Sequence, residues 1–594
     1  MSPAFAQELA YGATFLGDGQ TRFRLWGPAE DRIDLVIDDG APLPMRRDPS
    51  GWHDLEAACA VGARYFYALP DGTKFPDPAS RAQADDIHGP SVVVDPRSYH
   101  WRTAAWRGRP WHETVLYELH AGLYGGYAGV MKELPRLADL GITAVELMPI
   151  AEFPGGRNWG YDGVLPFAPE SAYGTPDDLK RLVDRAHELG LTIFLDVVYN
   201  HFGPDGNWLH RYAPQFFRKD GNTPWGDSID VERPEVSRFF TENALYWLNE
   251  YRFDGLRFDA VHAIHPTGWL NKLATDIRAG IEPGRHVHLM LENEDNLASL
   301  LTGVEKGFNA QWNDDFHHVL HVMLTGERES YYADFIKQPG MKLARALHDG
   351  FVYQGDPSSL RGGKPRGEPS GQLPPTAFVV CLQNHDQIGN RAMGDRLIAL
   401  ASPAALRAAI ALLLLSPQIP MLFMGEEYGS RAPFLYFTSH NAELAELVRE
   451  GRRREFAGFS QFSDPAKREM IPDPNDPATF ERSRIAGDTG EAADWQAYYR
   501  TLLALRRDIL MPRLLGAKSL ESTALGDAGA VAHWRCGDGA VLTILANLAP
   551  ATIPIPASVS LPDDEPVFAG GRMISRRHCP PYATFAWLQG APRG

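Results

Sequence analysis

The chain has 594 residues, 22% of them charged and 44% from the nine apolar types, a globular balance that excludes wholesale disorder and fibrous repeats. Its 58 Lys and Arg against 75 Asp and Glu give a net charge of -17, a surface that repels phosphate backbones and anionic lipid, so neither a nucleic-acid nor a membrane partner is expected. Four scattered cysteines (Cys59, Cys381, Cys536, Cys579) without a CxxC pair support neither a disulfide framework nor a structural zinc site.

The N-terminal stretch MSPAFAQELAYGATF lacks the basic start and the apolar run of about 7–15 residues that a secretory signal needs, so the cytoplasm is the expected compartment. Residues 1–105 read as a small β domain. TRFRLW (Thr21 to Trp26), IDLVID (Ile33 to Asp38) and ARYFYAL (Ala63 to Leu69) are β-type runs separated by Gly-, Asp- and Pro-rich turns, and their short spacing predicts a sandwich. PDPASR (Pro76 to Arg81) and DPRSYHW (Asp95 to Trp101) read as an irregular linker.

From Val115 short apolar runs alternate with helical stretches. The runs are VLYEL (115–119), AVELM (144–148), TIFLDVV (192–198), GLRFD (255–259), HLMLE (288–292), FVVCL (378–382) and MLFM (421–424). One intervening helix has clear boundaries: Thr175 as N-cap, Pro176 at the first position, Asp178 completing a capping box and Gly190 as the stop. Strand-helix-strand repeated this often predicts a parallel sheet closed as a (β/α)8 TIM barrel over residues 106–515, with an insertion at about 320–375. The longest apolar run, Ala408 to Leu415, is too short to span a bilayer and reads as a buried helix. GRRR (Gly451 to Arg454) reads as a solvated or ion-paired helix face. After Leu515 the β texture returns in AVAHWR, AVLTILANL and YATFAWL, predicting a C-terminal antiparallel β domain over 516–594. The fold class is therefore multidomain α/β.

Four acids, Asp196, Asp259, Glu292 and Asp386, fall at or just beyond the C-terminal ends of predicted strands, where a parallel barrel holds its active site. Any one of them could merely cap a turn. Their neighbours argue otherwise. Asn200 and His201 follow Asp196, His385 precedes Asp386, and Arg257 stands two residues before Asp259, on the same strand face, where it can hold that carboxylate ionised. Glycoside hydrolysis needs two carboxyl groups of different protonation. Asp259 suits the ionised nucleophile. Glu292, closing an apolar run, suits the protonated acid, with Glu294 and Asp295 as alternatives.

These blocks, DVVYNH, GLRFDAVH, HLMLENED and QNHDQ, resemble in order the four signature regions of the α-amylase superfamily of glycoside hydrolases. The resemblance implies Asp259 as nucleophile, Glu292 as acid and Asp386 as the acid that stabilises the transition state. It also implies that Asp196, Arg257, His201, His385 and Tyr161 (in NWGYDGV) form the subsite of the attacked glucose. The third block, ENED, is richer in acids than the family pattern.

Longer stretches, among them PDPASRAQADDIHGPS (76–91), TPWGDSID (223–230), NAQWNDDFHH (309–318) and MGEEYGSRAPFLYFTSH (424–440), resemble the malto-oligosyltrehalose trehalohydrolase family within that superfamily. The implied reaction cleaves the α-1,4 bond next to a terminal trehalose unit of malto-oligosyltrehalose and releases trehalose. The substrate would come from a malto-oligosyltrehalose synthase, with no stable complex implied and no redox or nucleotide cofactor. With no EF-hand loop or HExxH run, no metal is expected. Trp159, Tyr161, Trp225, Trp312, Phe316 and Tyr353 fall in predicted rim loops, and Tyr161 and Trp225 are the expected sugar contacts. By the resemblance, Asp314, Asp315 and Glu427 are candidate trehalose contacts. Two alternatives stand beside this reading: a branching or debranching enzyme of the same superfamily, and a glucan-binding protein without catalysis.

Overall fold

Alternation sets the N-terminal sheets. Along Gln20–Trp26 the residues Thr21, Phe23 and Leu25 are buried while Gln20, Arg22 and Arg24 between them are not, the period of two that presents one strand face to a core. This strand pairs antiparallel with Gly12–Gly17 and Trp52–Ala58. A second sheet is built on Asp34–Ile37 and Arg64–Ala68. Phe23 meets Tyr65 between the two sheets with ring centroids 4.9 Å apart, giving the expected sandwich. The computed structural model describes residues 5–223, 225–301, 307–485, 490–573 and 575–590. Residues 1–4 of the N-terminal stretch, Pro224 of the 223–230 block and residues 591–594 of the expected C-terminal domain lie outside them.

The linker is irregular but ordered by buried polar groups. Asp77 accepts the Tyr65 and Tyr67 hydroxyls at 2.8 and 3.2 Å, and Arg81 forms a buried ion pair with Glu250 of the barrel at 2.8 Å. Phe75 stacks on Tyr212 at 4.6 Å, so the sandwich docks on the barrel through aromatic faces.

The barrel is closed by eight parallel strands. In order they are Leu116–Leu119, Ala144–Leu147, Thr192–Val197, Gly255–Phe258, His288–Leu291, Ala310–Trp312, Phe378–Cys381 and Ile419–Phe423. Buried on both faces, they are mostly apolar, with single polar residues such as Glu118, Glu146 and Arg257 set among the apolar ones. The sixth, three residues long, is the one the texture did not reveal. Gly255 is required in the fourth, because a Cβ there would lie 2.0 Å from the Phe194 ring. The capping box forms as expected: Thr175 and Asp178 exchange side chain-to-backbone bonds at the start of helix Pro176–Glu188. The apolar run at 408–415 lies in the buried helix Pro403–Leu415, capped by Ser402. Among the described residues no helix is long and apolar enough to cross a membrane.

The C-terminal sheet pairs Lys518–Leu525, Gly529–Arg535, Val541–Asn547 and Ala583–Gln589 antiparallel in that order, ending on Phe568–Ala569. Ser522 and Trp534 donate to the carbonyls of Ala344 and Leu347 at the end of helix Pro339–Asp349, so the segment between the sixth and seventh barrel strands carries this sheet. All four cysteines are buried free thiols.

Candidate active site

The parallel register brings Asp196 of the third strand opposite Arg257 of the fourth, and both side chains point inward at the mouth of the barrel. Arg257 is fully buried and its guanidinium organises the acids. Nη1 donates to both Asp196 oxygens at 2.7 and 2.9 Å and to Asp259 Oδ1 at 2.8 Å. Nη2 donates to Glu292 Oε2 at 2.6 Å. The Trp312 ring lies against the guanidinium, 4.3 Å from Cζ. Asp259 and Glu292 thus sit on adjacent nitrogens of one cation, each one residue beyond its strand.

The two carboxyl groups are treated differently by their surroundings. Burial works against ionising Asp259, but Arg257, His201 and a 2.7 Å bond from Asn200 Nδ2 outweigh it and hold the carboxyl below its ordinary range. Burial pushes Glu292 well above its ordinary value; Arg257 opposes this, while Asp259, Asp386 and Asp314 add to it. Glu292 Oε2 also accepts the Ala260 N–H at 2.8 Å, which is aimed by a left-handed turn at Ala260 (φ 41°) directly after Asp259. With Oε2 committed to two N–H donors, the proton of a neutral Glu292 belongs on Oε1.

Tyr161 is placed by its glycine: Gly160 has φ 106°, and a Cβ there would lie 2.1 Å from the Pro149 carbonyl. The Tyr161 hydroxyl lies 2.6 Å from Asp196 Oδ2 and 2.7 Å from His385 Nε2, and the Tyr161 and His385 rings stack. His385 Nε2 is 3.4 Å from Asp386 Oδ2. Its Nδ1 is bonded to Glu118 of the first strand. Burial opposes the charge of His385, but Asp386 and Glu118 prevail and raise its pKa to about 10. His201 bonds the Tyr161 carbonyl at 2.9 Å through Nε2 and Asn200 through Nδ1.

Glu292, Trp312 and Asp386 of this cluster line a cleft of about 800 Å³ whose walls also include Trp225, Asp314 and Tyr331. Trp225 is 47% exposed, and its ring stacks against His201 at 5.7 Å. Asp314 lies beside Asp386 and Glu292; burial and then Asp386 raise its pKa to about 7, against the pull of Arg366.

Some expected contacts lie elsewhere. Asp315 is fully buried, where Oδ2 accepts from Asn296 and from the Val352 and Tyr353 amides and Oδ1 pairs with Arg366 at 3.1 Å. Glu427 is fully buried just after the eighth strand, where Oε1 accepts from the Tyr117 hydroxyl and pairs with Arg136, each at 2.9 Å. Neither borders the cleft. Of the expected rim aromatics, Phe316 is a core residue of helix Asp314–Thr325, Trp312 belongs to the sixth strand, and Trp159 and Tyr353 are buried. Glu294 stays on the cleft wall beside Arg361, 3.8 Å away, while Asp295 pairs with Arg361 at 2.5 Å and does not border the cleft. GRRR is only partly a solvated face: Arg453 pairs with Glu450, but Arg452 is buried and donates to the Gly389 and Arg391 carbonyls just after Asp386.

A family model described as alpha amylase, catalytic domain, matches residues 75–222, and one described as a domain of unknown function (DUF3459) matches residues 517–585. The sequence is 40% identical to a malto-oligosyltrehalose trehalohydrolase of Deinococcus radiodurans across 93% of this chain and 91% of that one. The chain belongs to the malto-oligosyltrehalose trehalohydrolase family. A second relative with that name, from Saccharolobus solfataricus, is 39% identical over 84% of this chain and 87% of its own. A Salmonella typhimurium protein provisionally described as an alpha amylase superposes with a TM-score of 0.91 at 43% identity, covering 98% of this chain and 99% of that one.

Within this family's frame, two residues of the cluster escaped the reading of the sequence. Glu118 and Glu146 are register partners on the first two strands and point into the barrel below the site. Each is a single acid inside an apolar run, VLYEL or AVELM. A buried carboxyl needs a reason, so the signal was present.

Proposed function

We propose that the chain is a retaining glycoside hydrolase that cleaves the α-1,4 bond next to the terminal trehalose unit of malto-oligosyltrehalose, releasing trehalose and a shortened malto-oligosaccharide. The observation that carries this reading is the one guanidinium shared by Asp259 and Glu292. A retaining enzyme keeps its two carboxyl groups about 5–5.5 Å apart, and a single bridging cation holds them at short range, while burial and the neighbouring acids keep Glu292 protonated beside an ionised Asp259. Asp259 attacks the anomeric carbon while Glu292 passes its Oε1 proton to the departing glycosidic oxygen. The trehalose part leaves with that proton. Glu292, now ionised, takes a proton from water as the water oxygen displaces Asp259, and the cluster returns to its starting state. Asp386 stands where positive charge develops on the sugar ring. Tyr161, Asp196, His201, Arg257 and His385 hold the attacked glucose and the nucleophile, and Trp225 and Asp314 contact the sugars along the cleft. Asp315 and Glu427 drop out of the binding set.

The same reading divides the chain at about residues 105 and 515, supported by the sheets on either side of the barrel. It places the activity in the cytoplasm, downstream of a synthase that supplies the substrate. The free thiols and the charge of -17 accord with that compartment and with the absence of nucleic-acid or membrane partners.

Product chromatography tests the reading. Malto-oligosyltrehalose should yield trehalose as the only new disaccharide, with little reaction on maltodextrin of equal length. Branched products without trehalose, or equal cleavage of both substrates, would overturn it.

A further inference from the structure

Counting protons in the buried cluster leads to a residue below the site. Burial raises the Asp196 pKa to about 6 against the pull of Arg257, so above that pH Asp196 accepts from Arg257 and is an acceptor only, and the Tyr161 hydroxyl must give it its one hydrogen. The Tyr161 oxygen can then only accept from His385 Nε2, 2.7 Å away, which must carry a hydrogen. On the other side of the ring, Nδ1 meets Glu118 Oε1, and Glu118 Oε2 accepts the His385 backbone N–H at 3.0 Å. A carboxylate there is also an acceptor only, so Nδ1 must carry a hydrogen as well. With both carboxyl groups ionised, this geometry requires a doubly protonated imidazole.

We infer that Glu118 is a positioning residue: it pins His385 as a cation and so fixes the direction of the hydrogen-bond chain from His385 through Tyr161 to Asp196 at the attacked-glucose subsite. This rests on the catalytic reading above. Glu118 is buried on the first barrel strand, below the cleft and out of reach of substrate. The groups facing His385 come from several elements. Asp386 adjoins it; Glu118 and Glu146 come from the first two strands; Tyr161 and His120 come from loops; Arg257 comes from the fourth strand, and the Trp159 and Trp312 rings close the sides. Glu146 has no hydrogen-bond partner on either oxygen, and burial pushes it well above its ordinary range, so it adds no second anion to the imidazole. The charge opposite Nδ1 is therefore that of Glu118. Without it the proton count fails, since a neutral ring leaves Tyr161 to choose between giving its hydrogen to His385 or to Asp196.

Glu118→Gln keeps the size and removes the charge. Its kcat should fall at least about tenfold, as when a carboxylate that holds a catalytic imidazole is neutralised, with KM little changed. The alkaline limb of its kcat profile should move to lower pH, because the imidazolium it loses is the form the chain requires. In a double-mutant cycle, Glu118→Gln added to His385→Gln should cost about nothing further. Nitrogen NMR of histidine-labelled wild-type protein, with His385 assigned by its loss in His385→Gln, should show both ring nitrogens protonated at pH 8. A neutral His385 in the wild type overturns the inference whether or not Glu118→Gln folds. So do additive losses in the cycle, or an unmoved pH profile with near-full turnover. Full turnover in Asp259→Asn would instead break the catalytic reading and leave the His385 protonation state standing.

Discussion

Two sets of buried acids surround the mouth of the barrel, and they differ in how much of each carboxyl group is left over. Asp259, Glu292 and Asp386 keep side-chain exposures of 12%, 15% and 35%, and the last two line the cleft. Asp315 and Glu427 keep none: amides hold Asp315 Oδ2 and Arg366 pairs with its Oδ1, while the Tyr117 hydroxyl and Arg136 both meet Glu427 Oε1. Both sets are acidic and follow barrel strands, and apart from Asp386, which faces His385 and Asn390, their members bind arginine. The difference is that in the first set Asp259 and Glu292 share one arginine and part of each carboxyl group stays exposed, whereas in the second each acid is closed off from solvent against its own arginine. Burial beside a cation does not make an acid catalytic; an open face does.

Breaking one member of each set separates the two roles. Asp259→Asn should cost about 10⁴-fold or more in kcat, the scale on which a covalent nucleophile is lost, with an unfolding midpoint near wild type. Asp315→Ala should do the reverse. Stranding the buried Arg366 should destabilise the fold by about 3–5 kcal/mol, read by denaturant unfolding, while kcat per folded molecule stays within about threefold. If Asp315→Ala lost turnover and kept its stability, the division between the two sets would be wrong.

Smaller effects sharpen the picture inside the cleft. Trp225→Ala removes an exposed aromatic face and should raise KM about tenfold with kcat little altered, measured on malto-oligosyltrehalose. The pH profile follows from opposite shifts. Activity requires Asp259 ionised, so it should rise as pH passes that group's lowered pKa. It also requires Glu292 protonated, so it should fall as pH passes that group's raised pKa. Asp314→Asn removes a like charge from beside Glu292 and should move the alkaline limb to lower pH without moving the acid limb. An upward move would mean that Asp314 does not act on Glu292 through charge.

The sequence made the barrel legible wherever a strand was long enough to show an apolar run with a helix behind it. Ala310–Trp312 offers only three residues and no run, so this strand, held in place by its neighbours, could not be read locally. The acids that cluster at the barrel mouth were legible because each stands at or just beyond a strand end beside a distinctive partner. Arg257 two residues before Asp259 is the plainest case, since strand periodicity alone puts them on one face. The trehalose contacts were not legible. Asp314 and Asp315 are adjacent in sequence and opposite in role, because helix Asp314–Thr325 begins between strand and cleft and turns one side chain to each. Arg452 shows the same limit, for what it anchors, the loop after Asp386, lies about sixty residues away in the chain. Long-range partners of this kind decide between a solvated cation and a buried brace.

The central claim is that Asp259 carries the sugar between the two halves of the reaction. Glu292→Gln protein incubated with an α-maltosyl fluoride tests it most directly, since fluoride departs without an acid while release of the sugar from the enzyme is slowed. Peptide mass spectrometry should find the glycosyl adduct on the segment bearing Asp259. An adduct on Asp386, or product of inverted configuration with no adduct at all, would contradict it.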